Sequence, residues 1–331
     1  MFTPVRIALI GPGQGAGGTG LGLYYLRYLA ANPLVKLCAI GGRDIQRIES
    51  ICREVDIRPG DLMLYDENHI SDLFQSSEVD GVLIASPTIT HYHYIQMGIC
   101  HSKHLLVDKP MFDTSTFLQN QAVINHSFEE AAKKDIVLAT LCQRVALLEY
   151  MRLKKPVFQL NVQISTGIKK GAYSYQQLFD YLISHPISIL IKLGLVDEHR
   201  IAQLRVNKQS NSDFHQLSFS FNYDTIICTI VLKQYSCNNP TSLNITIDGQ
   251  SYSTKQVQVL QNSKTEITNQ GEVILADDFT KLCLDNFVNH LQNRQQPLMI
   301  NNMESHSIFK FECCLYKAFL DLSEIGDEAS K

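Results

Sequence analysis

The stretch "IALIGPGQGAGGTGLGLYYLRYLAANPLVKLCAIGGRD", residues 7–44, decides how this chain is read. Seven glycines fall between Gly11 and Gly22. A short apolar run precedes them and a run with helical character follows. A strand that ends in glycine and turns into a helix is a site for anionic phosphate. The first N–H groups of a helix lack intrahelical partners and point outward with the positive end of the dipole. Glycine lets such a backbone take positive φ and come close to a pyrophosphate. GPGQGA (11–16) fits the pattern G-x-G-x-x-A, which assigns Gly11, Gly13, Gln14 and Gly15 to phosphate binding.

Working outward, apolar runs alternate with helical patterns from Val5 to Leu141. The runs are VRIALI (5–10), VKLCAI (35–40), LMLY (62–65), GVLIAS (81–86), HLLVDK (104–109) and IVLATL (136–141). They are almost continuously apolar, as strands buried on both faces are. Helices are expected at about 20–31, 44–55, 69–76, 90–101 and 115–134. Strand–helix repetition of this kind predicts a doubly wound parallel sheet. After about residue 150 the pattern changes. VFQLNVQIST (157–166) alternates, a helical stretch covers 173–194, and four alternating runs lie between 203 and 252. These predict an open, mostly antiparallel sheet. Helices over about 277–292 and 304–322 and a frayed tail complete the expectation: an α/β chain with domains at 1–145 and 146–331, the last helices able to pack back on the first domain.

Composition narrows the function. The net charge is −4 with no long basic run, which argues against nucleic acid or an anionic membrane as partner. Nine cysteines without framework spacing read as a reduced, cytoplasmic chain. No apolar run approaches the roughly 20 residues of a membrane span.

The second strand ends AIGGRD (39–44). A free ribose 2′-hydroxyl usually meets Asp or Glu at this tip. Here the tip is Gly41-Gly42, followed by Arg43, whose planar fork suits a 2′-phosphate. NADP is therefore favoured over NAD. Asp44 either caps the next helix or takes the hydroxyl itself.

The segment "GVLIASPTITHYHYIQMGICHSKHLLVDKP" (81–110) carries Ser86-Pro87, His91, Lys103-His104 and Asp108-Lys109-Pro110. It resembles the signature of the Gfo/Idh/MocA family of nicotinamide-dependent oxidoreductases. Those proteins have a strand, Thr/Ser-Pro-x-x-x-His, a helix, Gly-x-His and a strand ending Glu-Lys-Pro. Aspartate replaces the family's glutamate here, and Gly98 lies early for its glycine. The resemblance implies a Rossmann domain, an open-sheet second domain, and Ser86, Pro87, His91, Asp108 and Lys109 around the cofactor. It places Lys109 beside the nicotinamide. A lysine at the carboxyl end of a parallel strand projects into the ligand crevice of such folds, where its ammonium can polarise a substrate oxygen. Pro110 biases it toward extended backbone. Gln143 and Arg144 resemble the family's polar pair where its domains join, bordering the pocket or forming an interdomain salt bridge.

Alcohol oxidation needs a group that takes the hydroxyl proton, and a histidine near pKa 6.5 suits both directions. The family usually has Asp-x-x-x-His on a helix. This chain has "LFDYLISHPIS" (178–188), with Asp180 and His185 five apart. On a regular helix that sets them about 140° apart. Pro186 makes the helix irregular or starts a new segment. His-Pro-Ile before a small polar residue resembles a variant of the family motif, so His185 is the expected acid–base group and Asp180 its helper. His91, His93, His101 and His104 straddle a helix and do not converge, so no metal is expected.

The expected activity is hydride transfer between NAD(P) and a carbinol or ketone carbon of a sugar, cyclitol or similar small molecule. The alternatives are a dinucleotide-binding sensor without turnover, and a reductase of an imine or conjugated heterocycle. The alternating sheet needs cover on its second face, so a homodimer or homotetramer is expected.

Overall fold

A computed structural model describes residues 3–13, 21–151, 159–166, 173–235, 242–259 and 262–328. The chain forms two compact units. The first is Met1–Leu141 with Leu284–His306, and the second is Cys142–Cys283 with Ser307–Lys331.

In the first unit the elements run β1 (Val5–Ile10), α1 (Gly22–Ala31), β2 (Val35–Gly41), α2 (Ile45–Glu54), β3 (Met63–Tyr65) and α3 (Ile70–Gln75). They continue through β4 (Gly81–Ile84), α4 (His91–Cys100), β5 (His104–Asp108), α5 (Thr114–Phe117), α6 (Gln121–Lys133) and β6 (Leu138–Leu141). All strand pairs are parallel, in the order β3-β2-β1-β4-β5-β6. This is the doubly wound arrangement, and the order reverses between β1 and β4. The centre is fully apolar: Leu9, Ile40, Val82, Ile84 and Val107 are at most 1% exposed. That is why the strands read as continuous apolar runs. At the amino ends of the strands, Arg6 holds Asp80 through Nε–Oδ2 at 3.0 Å and Nη2–Oδ1 at 2.6 Å. The expected helix over 115–134 is two helices, α5 and α6, parted by a short turn.

The second unit contains β7 (Gln159–Thr166), α7 (Tyr175–Leu182), α8 (Ser184–Lys192), β8 (Ile201–Ser210), β9 (Phe214–Tyr223) and β10 (Ile226–Tyr235). Then follow β11 (Ser242–Ile247), β12 (Gln250–Val259), β13 (Asn262–Asn269), β14 (Glu272–Asp277), α9 (Phe279–Gln292) and α10 (Asn302–Glu328). Eight strands form one sheet in the order β14-β13-β12-β11-β7-β10-β9-β8, antiparallel except for β7 beside β10. Phe179 of α7 packs edge-on to Phe219 of β9 at 5.8 Å and stacks on Phe319 of α10 at 6.0 Å, which fixes the covered face. The opposite face is polar or half exposed, with Ile227 54% exposed. Two strands, β13 and β14, were not expected from the sequence. Among the residues of β13 whose burial is described, Thr265 and Ile267 alone are buried, so no apolar period marks the strand. The last helix also runs on to Glu328, past the Leu322 end expected for it. The chain crosses from the second unit to the first within α9 and returns within α10.

One histidine gives the first unit a pH dependence. His104 starts β5, receives the Val137 N–H at 3.2 Å, and lies 2.6 Å from Arg294 Nη2 through Nε2. Burial, then the Arg294 charge, push its pKa down to about 4. The folded protein therefore binds fewer protons than the unfolded chain between about pH 4 and 6.5, so stability falls as pH drops through that window. The loss should be on the order of 2–3 kcal/mol. Urea unfolding at pH 7.5 and 4.5 checks this: His104→Gln should lose less stability on acidification than the parent by that amount.

Candidate functional site

The site of the first unit lies where β1 and β4 end, at the reversal of strand order. Gly11 has φ +83°, and a Cβ there would stand 2.7 Å from Ser86 N and 2.8 Å from the Ala85 carbonyl oxygen. The exits of β1 and β4 thus run against each other backbone to backbone. Gly22, the first residue of α1, is tighter still. Its Cβ would lie 2.0 Å from the Gly11 carbonyl oxygen and 2.7 Å from that of Gly13. Gly13 is open by contrast, its Cβ meeting only the Ile51 side chain at 3.6 Å. The three therefore divide the work of a dinucleotide fingerprint: turn, open approach, and helix packing. A packing position falls to Gly22, and residue 16 of the GPGQGA match lies outside the described residues. The signal for this lay in the apolar positions Leu23, Leu26 and Leu29, which fix where α1 begins. Gln14 and Gly15 lie outside the described residues.

At the tip of β2, Gly41 packs against Ile70, whose Cδ1 would be 2.2 Å from an added Cβ. Asp44 is the N-cap of α2, its Oδ1 accepting from Arg47 N at 2.7 Å. This resolves the two readings of Asp44 in favour of the cap. Arg43, exposed, stands next to this tip.

Ser86 and Pro87 form a turn closed by Thr90, whose hydroxyl lies 2.7 Å from Ser86 Oγ and 2.7 Å from the Pro87 carbonyl. His91 follows and is 1% exposed. Its Nε2 lies 2.8 Å from the Ser86 carbonyl and its Nδ1 3.1 Å from the Pro110 carbonyl. The ring therefore bridges the β4 exit to the segment after β5, and burial holds its pKa below the usual value. It acts behind the loop rather than on its surface.

Lys109 stands at the carboxyl end of β5, half buried, before a cis peptide to Pro110. Its backbone N–H donates to Asp108 Oδ1 at 2.8 Å. Burial raises the Asp108 pKa, against the lowering effects of Lys109, His91 and the fully buried Tyr25. Tyr25, one turn into α1, is a site neighbour that no motif announced. Lys103 and His104, the other motif members, are structural. Lys103 Nζ donates to the Ser76 and Val79 carbonyls at 2.7 Å each.

In the second unit α7 and α8 meet at Ile183, whose φ −63° and ψ −35° keep the backbone helical. Pro186 falls in the first turn of α8, where its missing N–H costs nothing. Asp180 and His185 therefore keep the five-residue offset of about 140°. Asp180 accepts from Gln176 Nε2 at 3.0 Å, and the carboxyl that feels its charge is Glu312 of α10. His185 is 3% exposed. Arg144 is buried with Nη1 3.4 Å from Thr254 Oγ1, and burial pushes its pKa down to about 10 despite the charge of Asp278. Asp197, Glu198 and His199 bring ligand-type atoms within 4.8 Å of one another, but on a surface turn where Asp197 already accepts from His199 N.

Residues 5–138 match the model of the GFO_IDH_MocA oxidoreductase family, described as having an NAD-binding Rossmann fold. Over those residues the chain is similar to the dinucleotide-binding domain of that family. An uncharacterized oxidoreductase of Synechocystis sp. is 30% identical over 95 residues, which cover 28% of this chain and 24% of that protein. The chain's match thus spans about a quarter of that relative's length. Solved structures share the whole fold. UDP-N-acetylglucosamine 3-dehydrogenase from Acidithiobacillus ferrooxidans has a TM-score of 0.70 at 17% identity, covering 96% of this chain and 98% of that one. An Agrobacterium radiobacter oxidoreductase in complex with NAD+, L-tartaric acid and magnesium gives 0.65 at 13%, covering 96% of each chain. A 3-ketoreductase from Actinomadura kijaniata in complex with NADP gives 0.60 at 14%, covering 93% and 96%. No helix among the described residues is long and apolar enough to cross a membrane.

The residues fit a nicotinamide dinucleotide, because Gly11, Gly13 and Gly22 leave the β1 exit without side chains beside the end of β4. Gly22→Ala should weaken NADH and NADPH binding at least about tenfold, measured by calorimetry, since its methyl group collides with backbone. Gly60→Ala, with nothing within 4 Å of its Cβ, should bind both as the parent does.

Proposed function

We propose that this protein is an NADP(H)-dependent oxidoreductase acting on a carbinol or ketone carbon of a polar ring, a sugar, nucleotide sugar or cyclitol. The observation that carries the reading is the position of Lys109. It follows directly on β5, on the same carboxyl edge of the sheet as the glycine loop, within one compact unit. Its ammonium donates to the substrate oxygen and lowers the cost of the alkoxide character that develops when hydride leaves carbon. Asp108 beneath it and the His91 bridge fix the backbone on either side. The bound nicotinamide supplies hydride acceptance or donation. His185 takes the hydroxyl proton in oxidation and returns it in reduction. Asp180 contributes through the charge of its helix, one turn before Ser184.

Preference for the 2′-phosphate rests on the β2 tip, where the acid expected for NAD is replaced by glycines and Asp44 is engaged as a cap. Arg43 supplies the phosphate's partner. A second reading, a dinucleotide-binding sensor without turnover, is favoured by the five-residue offset of Asp180 and His185. The half-exposed face of the eight-stranded sheet supports a homodimer, which light scattering at micromolar concentration would test.

Two measurements decide the reading. Nicotinamide absorbance is followed with sugars, nucleotide sugars and cyclitols. Lys109→Ala should lose turnover by about a hundredfold or more while cofactor affinity stays within about twofold. Binding with no turnover on any of the panel favours the sensor. Separately, Arg43→Ala should raise the NADPH dissociation constant about tenfold and leave that of NADH nearly unchanged. Equal losses for both would reverse the assignment of cofactor.

A further inference from the structure

Glu312 belongs to no motif, yet it is the most deeply placed carboxyl near the proposed acid–base group. It sits on α10 at 2% exposure, between Phe311 and Cys313, which are also buried. Ser184, 1% exposed, donates its hydroxyl to Glu312 Oε1 at 2.5 Å. Ser184 is the first residue of α8 and directly precedes His185. The Cys142 thiol donates to the Ser184 carbonyl at 3.8 Å, and the Ser188 hydroxyl to the His185 carbonyl at 2.8 Å. The turn that carries the imidazole is thus held by three bonds among the described residues, two of them from distant parts of the chain, Cys142 and Glu312, and Glu312 alone of these carries a carboxyl.

We propose that Glu312 is a positioning residue for His185, holding the turn that bears the imidazole through the Ser184 hydroxyl. The inference rests on the reading of His185 as the proton-exchanging group. A leucine would fill this apolar position without the cost of burying a carboxyl. What the carboxyl adds is an acceptor for Ser184, whose hydroxyl would otherwise be buried unpaired. Burial pushes the Glu312 pKa up to about 8, with the Ser184 hydrogen bond opposing and the Asp180 charge adding to the rise. At neutral pH the group is therefore mostly an uncharged acid, which an apolar pocket tolerates. The groups that face it are Ser184 from α8, Asp180 from α7 and its neighbour Cys313, whose thiol is itself pushed up to about 12. Deprotonation of Glu312 sets a second negative charge beside Asp180, at the base of the same turn.

The test reads the imidazole directly. Protein labelled with ¹³C at histidine Cε1 is titrated by NMR, and the His185 signal is the one lost in His185→Asn. In the parent that signal should show a second inflection near pH 8, where Glu312 ionises. Glu312→Gln keeps the acceptor, so it should retain the parent titration below pH 7 and lose the second inflection. Glu312→Leu and Ser184→Ala should each move the imidazole pKa by about half a unit or more. Parent-like titrations in both, or a Glu312→Gln protein as disturbed as Glu312→Leu, overturn the proposal. If Glu312→Leu does not fold, Ser184→Ala decides alone, since it removes one oxygen and little volume. Turnover of His185→Asn reports separately on the proton-exchange role. A full rate there removes that role, while the imidazole signal still decides what Glu312 holds.

Discussion

The first unit depends on one steric constraint: three backbone segments meet where no side chain fits. The exit of β1 at Gly11, the exit of β4 at Ala85–Ser86 and the start of α1 at Gly22 approach within van der Waals distance. A Cβ at Gly22 would stand 2.0 Å from a carbonyl oxygen. No rotamer change relieves such a clash, because the opposing atom is main chain. The constraint sets how closely the start of α1 approaches the exit of β1. It also fixes the Ser86 carbonyl, from which the His91 ring reaches across to Pro110. The exit of β1 at Gly11 and the segment after Lys109 are in this way linked through the Ser86 carbonyl and the His91 ring.

How much of this was legible in the sequence follows from burial. The strands of the first unit are covered on both faces, so each wrote a continuous apolar run, and even the three-residue β3 was visible. The second unit's central strands alternate because one face is covered by helices, and β9 and β10 were legible for that reason. β13 and β14 were not, because the sheet's far edge buries few of their side chains: Val273, Ile274 and Leu275 of β14 are all at least 40% exposed. Of the residues assigned to the candidate site, Gly11 and Lys109 stand in local sequence patterns, at the ends of the apolar runs of β1 and β5. Tyr25 and Glu312 do not, because each meets the site from an element that no local pattern ties to it.

The buried ionisable groups follow a common rule. His91, Asp108, Glu312 and Arg144 are each shifted by burial toward the uncharged form. Desolvation of this kind is tolerated where the group's hydrogen bonds fix something that an apolar side chain could not. His91 lies between two carbonyls and donates its single N–H to one of them, Asp108 accepts from the amide of Lys109, and Glu312 accepts from the hydroxyl before His185. Each is one residue or one bond removed from a group assigned to the chemistry. Each of the three holds geometry from a buried or half-buried position behind the groups proposed for the chemistry.

Helix phase decides which side chains flank His185. Four residues before it, on the same face, stands Tyr181, 45% exposed and packed edge-on to Tyr173 at 4.9 Å. A phenol supplies no negative charge at neutral pH, so the position one turn back does not raise the histidine's proton affinity as an aspartate there would. The carboxylate of this helix lies one step round, at Asp180, where it shares a face with Ser184 and its charge is felt by Glu312. On the proposed role of His185, the imidazole is held in place through a buried carboxyl on another helix instead of pairing with one a turn away on its own.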